Sequence, residues 1–341
     1  MRPLSAHAPS ADVTELTQDI LYTVPTTLAS PEAHTRTRSA ARLADYVELV
    51  KPRVSLMVII TAAAGFYLGS LASGISPFHF GLVEALLGIG IVSAGSSVLN
   101  QAIERRTDRR MPRTANRPMA QHRISLPQGL LLGFALIVGG SLFLARVTNP
   151  LTGTLTLLTA VGYVGIYTPL KRFTTLNTFI GAFPGALPPL IGWTAARPVI
   201  EWPAVALFAI LFVWQFPHFM AIGWLYRADY RRAGIRLTAT LDDTRDAARN
   251  SAVQALAYAA LMIPVSLWPV WLGVAGWIYG AAALALGVWY LAATLRFAGI
   301  QRAPENTENR ALARHLLRVS VLYLPLLMLA LILDARGRVF F

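Results

Sequence analysis

Apolar runs of about 20 residues recur along this chain, and one helix of that length crosses the ~30 Å hydrocarbon core of a bilayer. Nine can be marked, at roughly 53–70, 79–101, 127–146, 150–168, 175–195, 202–226, 250–269, 272–294 and 315–334. Lipid offers no partner to a backbone N–H or C=O, so a spanning segment must satisfy its own, as a helix does. The expected fold is all-α: a polytopic membrane bundle of about nine transmembrane helices around a central cavity. Composition agrees, with 55% hydrophobic and only 14% charged residues and a mean hydropathy of +0.51. There is no cysteine, which excludes disulfides, thiolate metal sites and a cysteine nucleophile.

Alternate loops carry the net charge of +13. Lys51 and Arg53 open the first span, and arginines crowd the loop between the second and third. Lys171 and Arg172 follow the fourth, Arg227, Arg231, Arg232 and Arg236 the sixth, and Arg296, Arg302, Arg310 and Arg314 precede the ninth. The intervening loops hold only Arg146 and Arg197. The positive-inside rule then turns the amino terminus, the basic loops and the cavity mouth toward the cytoplasm. Residues 1–44, rich in Ser, Thr, Ala and Pro without apolar periodicity, are expected to form a disordered cytoplasmic tail, and 45–341 the transmembrane domain. No apolar segment follows Arg2, which argues against a cleaved signal peptide, and Asp12, Glu15 and Asp19 argue against a mitochondrial presequence.

The second run ends in a polar stretch that holds Asn100, Glu104 and Asp108. Steps of four residues turn a helix by only ~40°, so these three oxygen-bearing side chains share one face over roughly two turns. Hard oxygens so arranged suit Mg²⁺, which takes a few carboxylates together with substrate phosphates. Arg105, Arg106, Arg109, Arg110, Arg113 and Arg117 surround them. Two readings fit: a charged helix end at the membrane rim, or a metal–diphosphate site.

A second constellation ends the sixth run, where Trp214-Gln215-Phe216-Pro217-His218-Phe219 is followed by Asp229-Tyr230. Ionisable residues within a membrane span are costly and point to function. His218 and Asp229 lie eleven residues apart, close to three helical turns, and share a face with Gln215 if the helix runs unbroken. The alternatives are a buried imidazole bonded to a neighbouring helix and a rim carboxylate paired with Arg227 or Arg232. Asp242 and Asp243 belong to the following loop. Pro184, Gly185, Pro188 and Pro189 interrupt the fifth run, a break tolerated in a membrane where the helix lines a cavity or other protein.

Asn100-x-x-x-Glu104-x-x-x-Asp108, with Met111-Pro-Arg113-Thr114-Ala-Asn-Arg117-Pro118, resembles the first motif of the intramembrane UbiA-type prenyltransferases. With Trp214-Gln-Phe-Pro-His218-Phe it resembles their protoheme IX farnesyltransferase (heme O synthase) family. The resemblance extends through Lys51-Pro-Arg-Val, Tyr167-Thr-Pro-Leu-Lys171-Arg and Gly181-Ala-Phe-Pro-Gly-Ala-Leu-Pro-Pro189. It departs at Glu104, where the family usually has Asp.

The resemblance implies transfer of a farnesyl group from farnesyl diphosphate to a vinyl group of heme B, giving heme O for terminal oxidases. Mg²⁺ would be the cofactor, on Asn100, Glu104, Asp108 and Asp229; heme B would be a substrate. Arg113, Arg117 and Lys171 would bind diphosphate, and Tyr163, Tyr167, Trp214, Gln215, Phe216 and His218 would form the heme or prenyl pocket, with His218 toward heme. The implied location is a bacterial inner membrane, and the resemblance allows association with heme A synthase or terminal oxidase assembly. Nucleic acid is not an expected partner. Prenylation of a quinone precursor would call for a richer second acidic motif. A transporter with Asp108, His218 and Asp229 as a proton relay would call for inverted repeats and mid-span charges.

Overall fold

The computed structural model describes residues 43–301 and 308–335; the tail expected at 1–44 falls almost wholly outside them. Among the described residues nine helices are long and apolar enough to cross a membrane. They are α1 (Pro52–Ala72), α2 (Phe80–Asp108), α3 (Leu126–Val147), α4 (Pro150–Leu170), α5 (Asn177–Ala196), α6 (Trp202–Leu225), α7 (Thr244–Trp271), α8 (Trp277–Gln301) and α9 (Asn309–Leu333).

The starts follow from capping chemistry. Asn149 Oδ1 accepts from the Thr152 amide at 3.0 Å ahead of α4, and Ser125 and Gln128 form a capping box ahead of α3. The Asp243 carboxylate accepts the Arg245 and Asp246 amides, so α7 begins several residues before its apolar run. Helix α2 has 29 residues, about 43 Å at 1.5 Å per residue, longer than the hydrocarbon core. Its last two turns can therefore stand beyond the lipid, and they carry the polar motif.

Helix α5 bends where the prolines predict. Asn177–Ala186 and Pro188–Ala196 are separate helical segments that meet at Leu187. The second segment packs against α1 with backbones in contact: a Cβ on Gly65 would lie 1.8 Å from Pro189 O, and one on Gly192 only 1.9 Å from Ala62 O. Small residues permit this approach, and close packing is what joins helices in lipid. The first segment packs elsewhere, with Gly181 against the Tyr167 ring of α4 and Gly185 against the Gln215 side chain of α6. The largest core cluster gathers buried side chains of α1 and α5–α9, among them Trp193, Tyr279, Tyr290 and Tyr323.

Candidate active site

A cavity of about 280 Å³ lies among the carboxyl ends of α2, α4 and α6 and the start of α1, roofed by the loop that follows α6. Asn100, Glu104 and Asp108 all line it. Asn100 Nδ2 donates to Glu104 Oε2 at 3.0 Å and to Thr168 Oγ1 at 3.2 Å. Asn100 and Asp108 are each only 1% exposed. A cation stands on each motif side chain: Lys51 Nζ 2.8 Å from Asn100 Oδ1, Lys171 Nζ 2.8 Å from Glu104 Oε1, and Arg117 Nη1 2.8 Å from Asp108 Oδ1.

The loop after α2 explains its own sequence. Met111 is buried with Ala233 and Ile235, pegging this loop to the segment that follows α6. Arg113 donates to Tyr230 Oη at 3.0 Å and lies over the Tyr226 and Tyr230 rings. Thr114 Oγ1 donates to Asp108 O at 3.0 Å, closing the helix end, and Arg117 returns to the Asp108 carboxylate. Of the six arginines in this stretch, only Arg113 and Arg117 line the cavity. Arg105 turns back to Ala102 O, and Arg109 reaches Ala120 O.

Near its end helix α4 passes through a π segment, Gly162–Tyr167, a form frequent at functional sites, before its last residues Thr168–Leu170. Tyr163 and Tyr167 both line the cavity, their ring centroids 5.6 Å apart, and Lys171 Nζ lies 4.5 Å from the Tyr167 centroid. Burial works against the Lys171 ammonium, but Tyr167 and Glu104 beside it outweigh that and raise its pKa. Burial, helped by Arg117, pushes Lys51 down to about 7; an anion entering the cavity would favour its charged form.

Of the second constellation only Phe219 and Tyr230 line this cavity. The helix through His218 ends at Leu225, and Tyr226 takes a non-helical conformation. The unbroken helix assumed between His218 and Asp229 is thus absent, and Asp229 sits on a separate short helix, Arg227–Ala233, paired with Arg232. Asp229 does not line the cavity; its neighbour Tyr230 does. His218 Nδ1 bonds Ser320 Oγ of α9 at 2.7 Å, and its ring stacks on Trp214, whose Nε1 donates to Ser320 O at 2.8 Å. Gln215 Nε2 donates to Ala182 O of α5 at 2.9 Å and to Leu211 O at 3.1 Å. Trp214, Gln215 and His218 therefore occupy helix–helix contacts outside the cavity. Phe216 stacks on Tyr258 of α7 at a centroid distance of 3.7 Å, and Phe219 is the aromatic of this string that lines the cavity.

Sequence reasoning gave no site role to Lys51, Thr168 or Tyr230. Lys51 and Thr168 stand inside strings already noted, and Tyr230 adjoins Asp229; nothing in a linear pattern says which neighbour faces inward.

The donor set fits Mg²⁺. Asn100, Glu104 and Asp108 offer hard oxygens on one cavity wall, and no group of three or more His, Cys, Asp or Glu able to hold a metal occurs among the described residues. Two carboxylates and an amide make an incomplete cage, as suits an ion that also takes substrate phosphates.

The sequence profile of the UbiA prenyltransferase family matches residues 58–317, from α1 into α9. The chain belongs to the UbiA prenyltransferase family. Among the similar members is the protoheme IX farnesyltransferase of Koribacter versatilis, 45% identical over 307 residues that cover 90% of this chain and 98% of the relative. Another is the protoheme IX farnesyltransferase of Solibacter usitatus, 39% identical, with 86% and 99% covered. Solved structures also match: a digeranylgeranylglyceryl phosphate synthase superposes with a TM-score of 0.69 at 16% identity, covering 86% of this chain and 98% of that one. A UbiA homologue from Archaeoglobus fulgidus bound to DMAPP and Mg²⁺ gives a TM-score of 0.55 at 16% identity, covering 84% and 99%.

Proposed function

We propose that this UbiA-family prenyltransferase moves the farnesyl group of farnesyl diphosphate onto a vinyl group of heme B, giving heme O and diphosphate. One observation carries the chemistry: the oxygen ligands Asn100, Glu104 and Asp108 share a cavity with Arg113, Arg117, Lys171, Tyr163 and Tyr167. The acceptor rests on the similarity to protoheme IX farnesyltransferases over most of the chain.

Asn100, Glu104 and Asp108 would hold Mg²⁺, which when bound neutralises diphosphate charge. Asp229, left with Arg232, is the weakest member of the ligand set read from the sequence. Arg113, Arg117 and Lys171 stabilise the negative charge that grows on the leaving diphosphate as its C–O bond breaks. The faces of Tyr163 and Tyr167 attract the allylic cation left behind. The vinyl carbon supplies the electron pair for the new C–C bond, and water adds to the carbon beside the porphyrin, losing a proton to solvent. No strong base is required at the C–C bond-forming step.

His218 is assigned to heme. Its Nδ1 is engaged by Ser320 Oγ, which fixes the ring and leaves Nε2 for a second partner. The cavity end carries the basic loops and is assigned to the cytoplasmic face of a bacterial inner membrane, with a cytoplasmic amino terminus. Association with heme A synthase or an oxidase assembly would follow from the hydrophobic product.

The test is mass analysis of heme extracted after the purified protein is incubated with heme B, farnesyl diphosphate and Mg²⁺. A hydroxyethylfarnesyl heme is expected. Unchanged heme B, with a quinone precursor prenylated when it is supplied in place of heme B, would overturn the acceptor assignment and leave the diphosphate chemistry standing.

A further inference from the structure

The proposed reaction makes opposite demands on water. The allylic cation must not meet it, because capture there would give farnesol, whereas the cation formed beside the porphyrin must take up one molecule. A dry site meets both demands by holding a single water in a fixed place. The cavity has a wall suited to that. Its lining from α5, α6 and residues 235–239 carries no charged side chain, in contrast to the lining from α2, the start of α1 and the end of α4.

Three neutral polar side chains stand on that wall: Asn177 and Thr178 in the first turn of α5, and Thr238 in the roof. They are 1%, 8% and 4% exposed. Asn177 Nδ2 donates to Thr174 O and to Arg236 O, which fixes the amide and joins the start of α5 to the roof. The Arg236 amide closes the same seam by donating to Lys171 O at 2.8 Å. With its nitrogen turned to two carbonyls, Asn177 has Oδ1 left as its polar atom for the cavity. Thr178 Oγ1 lies 3.5 Å from that oxygen, at the limit of a hydrogen bond. The Thr238 hydroxyl makes no hydrogen bond to another described residue. Gly181, one turn on from Asn177, packs against the Tyr167 ring, so the three side chains lie near the aromatic face assigned to the allylic cation.

We infer that Asn177, Thr178 and Thr238 position the water that ends the reaction. The inference rests on the heme B reading of the acceptor. A buried water takes about two to four polar partners. Here Asn177 Oδ1 and a threonine hydroxyl accept its two O–H bonds, which leaves an oxygen lone pair for the cation. The C–O bond of farnesyl diphosphate breaks with its electron pair leaving on diphosphate. The terminal vinyl carbon supplies the pair for the C–C bond, the water oxygen supplies the pair for the new C–O bond, and one proton passes to solvent. Where no water is held, the same cation loses a proton from the neighbouring carbon and leaves an alkene, lighter than heme O by one water.

The test is mass analysis and chiral chromatography of the heme products of the purified full-length protein, native and variant extracted identically. Thr178→Val and Thr238→Val, singly and together, exchange each hydroxyl for a methyl of nearly the same shape. The double variant is expected to raise the ratio of alkene to hydroxylated product at least tenfold, and Thr178→Ser with Thr238→Ser to hold it within about twofold of native. A held water reaches one face of the cation, so the native protein should give one configuration at the carbinol carbon and the double variant both. A purely structural role would lower total yield without moving either readout. An unchanged ratio and configuration in the valine variants overturns the inference, and so does a native product with both configurations. A native protein that makes no hydroxylated farnesyl heme defeats the heme reading itself; one that makes it leaves that reading standing whichever way the variants fall.

Discussion

Arg117 Nη1 lies 2.8 Å from Asp108 Oδ1 and 2.9 Å from Asp108 Oδ2, so the loop after α2 folds back onto the helix it leaves. The carboxylate is almost wholly buried and the guanidinium partly exposed, with side chains 1% and 21% accessible. A buried carboxylate left without its cation is strongly destabilising. Arg117→Ala is therefore expected to lower the melting temperature of the purified protein as well as its activity. Arg117→Lys keeps the charge and should melt near the native temperature. An unchanged melting temperature in Arg117→Ala would show that water or another cation takes over.

Asp108→Asn tests the ligand rather than the latch. The amide retains the shape and one acceptor but removes the charge that a hard cation needs. Turnover is expected to fall at least a hundredfold, about 2.7 kcal/mol at the transition state, with the protein still folded in membranes. Excess chelator should stop the native protein, and added Mg²⁺ should restore it. Near-native product from Asp108→Asn would remove this residue from the metal site.

Asp229→Asn should behave differently. The carboxylate pairs with exposed Arg232 on the short helix after α6 and lies outside the cavity lining. Its replacement is expected to cost clearly less activity than Asp108→Asn, measured side by side at saturating Mg²⁺. Equal losses would mean that the α6–α7 segment closes over the substrate and brings Asp229 to the metal.

The contrast between these two acids marks what the sequence can tell. Asn100, Glu104 and Asp108 were legible because nothing between them interrupts a helix, so spacing alone set their shared face. The same rule failed from His218 to Asp229 because the helix ends at Tyr226 with neither proline nor glycine there to announce it. The inward face of α6 was also hidden: Trp214 and His218 meet Ser320 of α9, while Phe219 meets the cavity. That choice is made by residues about a hundred positions away. The bend in α5 was visible in its prolines; its use, backbone contact with α1, depended on Gly65 in a distant span.

That contact yields a stability prediction. Gly192→Ala would put a methyl 1.9 Å from Ala62 O, against backbone that cannot move aside without shifting α1. Folded yield and melting temperature should drop sharply. Gly139→Ala is the control, since nothing lies within 4 Å of a Cβ at that position in α3. There alanine should be neutral or stabilise by up to about 1 kcal/mol through helix propensity. Equal behaviour of the two variants would mean that α1 and α5 are not packed as described.

His218 is the residue on which heme and diphosphate roles part. It lies outside the cavity lined by the diphosphate residues, and its ring is fixed by Ser320 and stacked on Trp214 at a centroid distance of 4.9 Å. An imidazole held through Nδ1 can still offer Nε2 to iron or to a polar group of the porphyrin. Because the reaction occurs at a vinyl carbon, such a bond would orient the macrocycle rather than supply redox chemistry. His218→Ala is expected to weaken heme B binding and shift the heme absorption band, while affinity for farnesyl diphosphate stays within about twofold of native. Ser320→Ala frees the ring without removing it and should produce a smaller change in the same direction. If His218→Ala binds heme B with a native spectrum but loses farnesyl diphosphate, the imidazole serves the other substrate. If both affinities survive and only the melting temperature falls, His218 is a structural link between α6 and α9.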